Sequence, residues 1–228
     1  MLIKFIRGMS ALFILAPLVA GVAGVALGAG GGNRFEVTVT NLTRGQIISP
    51  AVVASHSDDL SSIFTVGTPA SSELAAVAED AVIDPMITLL SADPEVMDVA
   101  TILGAAGPIM PGESASVVVN ARGRFRNFTV VGMLVSTNDA FFALNGRRGP
   151  NRGSESHYSP AYDAGSEANN EDCAFIPGPP CGNEGVRDPA GAEGYVHIHA
   201  GIHGIGSLAP ADLDWRNPVA KITIKHLK

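Results

Sequence analysis

Phe35, Val37 and Val39 alternate with Glu36, Thr38 and Thr40 along residues 34–42 (RFEVTVTNL). A period of two puts one set of side chains on a buried face and the other in water, the pattern of a half-buried β-strand. Related runs recur. Residues 114–121 (SASVVVNA), 128–136 (FTVVGMLVS), 140–144 (AFFAL), 195–199 and 219–226 (VAKITIKH) read as further strands. Residues 47–54 are β-prone but broken by Pro50, which assigns them to an edge strand or a bulge. Short strands separated by Gly and Pro turns predict an all-β protein, an antiparallel β-sandwich.

Two stretches depart from this pattern. Residues 71–81 (SSELAAVAEDA) carry a capping Ser, an early Glu and apolar residues at helical spacing, which predicts a helix. A second helix is expected over 93–103, where Asp93 can cap and Pro94 can occupy the first turn. Together they form a small helical insertion at about 71–105. Residues 145–193 have little periodicity and many Gly, Pro, Asn and Asp, and read as one long Gly/Pro-rich loop. A loop of that length in a compact domain is usually functional or tethered.

The apolar content, 46% of the chain, is concentrated at the start. Lys4 and Arg7 precede an uncharged run from Met9 to Leu27 that ends in small residues. Residues 1–29 therefore read as a secretory signal peptide, leaving a domain over 30–228 with no later membrane span. A retained N-terminal anchor is the rival, since about 19 apolar residues can cross a bilayer. Without Lys4 and Arg7 the formal net charge moves from −7 to −9, which argues against nucleic-acid binding. Cys173 and Cys181 are the only cysteines. In an oxidising compartment a pair at this spacing reads as a disulfide, and a zinc thiolate site would want a second pair.

The chemistry-bearing residues form two groups. Asn138 and Asp139 end one strand, and Asp163, Glu167 and the segment 169–172 (NNED) are rich in oxygen donors. A hard cation such as calcium takes six to eight oxygens from such groups; the alternative is a solvated acidic loop. The second group is His197, His199 and His203 in YVHIHAGIHGIG. His197 and His199 share a strand face, and three imidazoles would suit zinc or copper; the alternative is solvent contact or bonding to backbone. No nucleophile elbow, phosphate loop or zinc-protease motif is present. Arg122, Arg124 and Arg126 read as a solvated basic row.

Taken together, FEVTVTNLTRGQIISPAVVASH, VVGMLVSTNDAFFALNG, YDAGSEANNE, GYVHIHAGIHGIG and DWRNPVAKITI resemble the spondin N-terminal domain family over nearly all of the chain after residue 35. The likeness is greatest to its secreted bacterial members, with F-spondin and mindin as distant relatives. The resemblance implies a C2-like antiparallel sandwich, calcium binding, and a role in extracellular adhesion. Carried over by residue, it implies Asp139 and Asp163 as calcium ligands, with Glu167 a weaker third. No glutamate matches a further upstream ligand; Asn120 stands in that strand region. The thrombospondin repeats of the animal relatives are absent.

The first expectation is therefore a secreted, non-enzymatic binding or adhesion module. Calcium would stabilise its long loop, and its partner would be an unidentified cell-surface or matrix ligand. The second is a zinc or copper protein or enzyme using His197, His199 and His203. The third is a structural surface protein assembling as a homo-oligomer.

Overall fold

The computed structural model of the chain describes residues 33–228; the signal-peptide assignment of 1–29 lies outside them. Ten strands form two antiparallel sheets. The first sheet holds β1 (Asn33–Asn41), β4 (Ser114–Ala121), β7 (Ser154–Ser159) and β10 (Ala220–Leu227), in the order β4-β1-β10-β7. The second holds β2 (Ala51–His56), β3 (Val96–Ile102), β5 (Asn127–Met133), β6 (Ala140–Arg148), β8 (Ala161–Asp163) and β9 (His197–Ile198), in the order β3-β2-β5-β6-β8-β9. The expected all-β sandwich is the observed architecture.

The alternation read from the sequence builds its core. Phe35, Val37 and Val39 face Val53, Phe128, Val130 and Phe142 of the opposite sheet. Phe35 and Phe128 meet with ring centroids 5.1 Å apart. The six-stranded sheet is buried on both faces. Its outer face carries Val52, Ala54, Val131, Phe141 and Ala143, covered by α1 (Ser72–Asp80) and α2 (Asp84–Ala92). Leu74, Val77, Met86 and Leu90 supply the helical side of that layer; burying each contributes about 1.5–3 kcal/mol. Ser71 caps α1 by accepting the Leu74 N–H at 3.2 Å. Burial on two faces explains why β5 is fully buried and shows weak alternation. Polar side chains inside this sheet are satisfied: His56 bonds the Ser57 carbonyl at 2.7 Å and the Thr129 hydroxyl at 2.9 Å.

Two boundaries differ from the sequence expectation. The second helix is α2, not 93–103, and Pro85 stands in its first turn. Residues Val96–Ile102 pair with β2 as a strand. Asp93 accepts from the Glu95 N–H at 2.8 Å, an Asx turn leading into that strand. The β-branched Val96, Val99, Thr101 and Ile102 fit a pleated edge better than a helix. Likewise, 145–193 is not one loop. Strand β6 continues to Arg148, and β7 and β8 follow, so the irregular segment is 164–196. The β7 sequence SESHYS was illegible because an exposed edge strand needs no apolar face.

The expected disulfide is present: Cys173 and Cys181 are bonded. It closes the Pro-rich turn whose Gly178 N–H donates to the Val135 carbonyl at 2.8 Å. Closing a loop this short contributes about 2–3 kcal/mol in the chain-entropy model. Reduction is therefore expected to lower the melting temperature by roughly 4–12 °C for a domain of this size. Calorimetry with and without a phosphine reductant checks this, and coincident transitions would refute it.

Candidate metal centre

The register of three strands sets the site. Ala140 of β6 pairs with Asp163 of β8, and Asp163 pairs with His197 of β9. Asp139, immediately before β6, thus stands beside the strand carrying Asp163. The two halves of the sequence pattern, the acidic group and the histidine group, meet at one end of the six-stranded sheet.

Asp163, Glu193 and His197 each present one ligand atom, and these atoms all lie within 4.8 Å of one another. Asp163 is fully buried, whereas Glu193 and His197 reach solvent. Asn169 positions both carboxylates: its amide donates to Asp163 Oδ2 at 2.6 Å and to Glu193 Oε1 at 3.0 Å. The Gly165 N–H donates to Asp163 Oδ1 at 2.7 Å. Glu193 was missed by sequence reasoning. It is a lone acid in a Gly-rich stretch, and only the pairing of β8 with β9 brings it in. Its spacing of four from His197 was the available signal.

The two histidines differ in what they offer. Both turn Nε2 toward Asp163, at 3.7 Å for His197 and 3.8 Å for His199. His197 Nδ1 bonds the Ile198 carbonyl at 3.1 Å, so it carries the proton there and leaves the Nε2 lone pair free. His199 Nδ1 accepts the Gly201 N–H at 3.0 Å, so the neutral ring carries its proton on Nε2. His197 is thus arranged as a ligand, whereas His199 sets its N–H beside the Asp163 carboxylate at 3.8 Å, too far for a hydrogen bond. His199 packs against Trp215, and burial drives it down to about 4, helped by the other two histidines, so it is neutral at ordinary pH.

Asp139 is fully buried. Its Oδ2 accepts the N–H groups of Ser166 at 2.8 Å and Glu167 at 3.1 Å, while its Oδ1 has no partner. Burial, then the charge of Asp163, pushes it up to about 8. Asp163 is raised too, chiefly by burial. An unpartnered carboxylate oxygen beside a second buried carboxylate favours a cation or a proton.

Glu167 contributes its backbone to Asp139, but its carboxylate points elsewhere. Oε1 accepts the Asp188 N–H at 2.7 Å, and burial raises Glu167 to about 7, with Glu79 and Asp80 adding to the rise. Arg187 clamps this part of the long segment to α1, lying 2.7 Å from Glu79 and 2.9 Å from Asp80. Glu171, at a positive φ of 55°, accepts from His203, Gly204 and Ile205 at 2.5, 2.7 and 3.0 Å. Those three backbone N–H donations fix the turn carrying His203. The His203 side chain lines the cavity of about 180 Å³ beside the cluster, with Thr137, Asn138, Asn169, Glu193 and His197. Asn120 bonds Asp98 at the opposite end of the sandwich and has no part in the site. No family model matches the chain, and no curated protein matches it.

Proposed function

We propose that the chain is an exported binding module whose segment 164–196 is fixed by a divalent cation held by Asp163, Glu193 and His197. The convergence of those three ligand atoms within 4.8 Å carries this reading. The unpaired Oδ1 of buried Asp139, whose carboxylate feels the charge of Asp163, supports it. One imidazole among carboxylates favours a borderline ion such as zinc over calcium, which prefers oxygen throughout. The resemblance to spondin domains supports the adhesive role and the export. Three protein donors leave coordination positions open toward the cavity, where a ligand from a partner surface would enter.

Elemental mass spectrometry of natively purified protein identifies the ion. His197→Ala is expected to lose the metal. His199→Gln is expected to keep it, because the His199 ring packs on Trp215 beside Asp163 without a hydrogen bond to that carboxylate. Equal losses for the two variants would show that both imidazoles coordinate, and stoichiometric metal in His197→Ala would overturn the site. A protein that loads calcium alone, at full occupancy, would move the ligand set to Asp139 and Asp163.

A further inference from the structure

The end of the sandwich opposite the metal centre is basic. Arg34 of β1 pairs across the sheet with Asn120 and Leu227. Arg122 follows Ala121, the partner of Asn33. Arg148 pairs with Asn127. Arg152 lies between Asn151, which accepts from Arg126 and His226, and Gly153, which accepts the His226 N–H. The registers therefore gather all four at one pole, and all four are exposed. None of them forms an ion pair among the described residues. The neighbouring cations that do are Arg124, with Asp59 and Glu95, and Lys225, with Glu36. Strand β1 has nine residues, so roughly 30 Å separates this pole from the end that carries Asp163, Glu193, Glu171 and Asp214. Acids stand at this pole too, next to β2 and β3: Asp59 and Glu95 are paired with Arg124, Asp58 accepts from Asn127 and Asp98 from Asn120, so the four arginines are left as unpaired cations among the described residues.

We propose that this pole docks on the anionic face of a lipid bilayer, through Arg34, Arg122, Arg148 and Arg152. The choice of a bilayer follows from where the chain enters the fold. Asn33 opens β1 at this pole, and the uncharged run Met9–Leu27 ends five residues before Asn33 becomes next in line, at Gly28–Gly32. Five residues reach at most about 18 Å. With that run in a bilayer, the four arginines lie within reach of its headgroups, where each basic side chain is attracted by anionic lipid. The metal centre then faces away from the membrane, toward whatever the module meets.

Flotation of the full chain carrying Lys4→Gln and Arg7→Gln separates the contributions, because the apolar segment without its own basic residues binds neutral and anionic lipid alike. Binding to phosphatidylcholine–phosphatidylglycerol vesicles is expected to exceed binding to phosphatidylcholine alone. The difference should fall at least about tenfold between about 10 mM and about 1 M salt, as the screening length drops from roughly 30 to roughly 3 Å. The triple variant Arg122→Glu, Arg148→Glu, Arg152→Glu should abolish the difference at an unchanged melting temperature. The matching glutamine variant, which neutralises without reversing charge, should fall between the two. Equal binding to both vesicle types, or an anionic preference that survives the triple variant, would overturn the proposal. Tighter binding to heparin or duplex DNA than to the anionic vesicles at the same salt would also overturn it, and would assign the pole to a soluble polyanion.

Discussion

Chelation of the protein as purified is expected to lower its melting temperature by roughly 8–16 °C. A ligand that binds only the folded state stabilises it by about 4 kcal/mol when present at a thousand times its dissociation constant. For a domain of this size, each kcal/mol moves the midpoint by about 2–4 °C. The folded state gains because Asp163 and Asp139 are both buried and both raised by burial, with the charge of Asp163 adding to the rise at Asp139. An ion at Asp163, Glu193 and His197 replaces that repulsion with attraction. It also ties β8 to the far end of segment 164–196, which otherwise rests on the disulfide, the Arg187 clamp and scattered backbone bonds. The local effect should exceed the global one. Trypsin is expected to cut after Arg187 faster once the ion is gone, because opening this segment no longer has to release it. Superimposable melting curves with and without chelator, and an unchanged cleavage rate, would sink the metal-clamp reading.

The parts of this molecule that could be read from sequence are those in which a local pattern reports burial. Phe35, Val37 and Val39 alternate because one face of β1 meets the core and the other meets water. Ser71 and Leu74 announced α1 because a cap and an apolar spacing are both local. Val96–Ile102 was misread because Asp93 and Pro94 mimic a helix start, and only pairing with β2 decides between the two states. Strand β7 left no mark, since its side chains are mostly exposed and its partner β10 lies some sixty residues away in the chain. The site divides in the same way. Asp139, Asp163 and His197 were visible as donors within motifs, but their assembly is a matter of register between β6, β8 and β9. Glu193 and Asn169 belong to no motif. Their relevance comes from one amide that holds two carboxylates, which no single-chain pattern records.

The most damaging single substitution at the site is expected to be Gly165→Ala, although Gly165 has no side chain and binds nothing itself. It follows Asp163 by two residues, its N–H fixes Asp163 Oδ1, and its carbonyl accepts the Gly194 N–H at 2.8 Å. Its φ is +65°, where an alanine costs about 1–2 kcal/mol. A Cβ there would also lie 2.7 Å from the Tyr195 nitrogen and 2.8 Å from its carbonyl carbon. Backbone cannot step aside as a flexible side chain can, so the stretch through Tyr195 must move. That stretch has Glu193 on one side and His197 on the other, so two of the three ligands leave register with Asp163 together. A combined cost above about 3 kcal/mol corresponds to more than a hundredfold loss of metal affinity. The core between the two sheets should survive, because Ala164 and Val196 beside this turn belong to the helix-covered layer and not to the one that holds Phe35 and Phe142. The expected result is a folded protein that holds no metal and melts at or a few degrees below the chelated wild type. Competition titration against a chromophoric chelator measures the affinity, and an affinity within tenfold of wild type would show that the close approach of Gly165 to Tyr195 does not position the ligands.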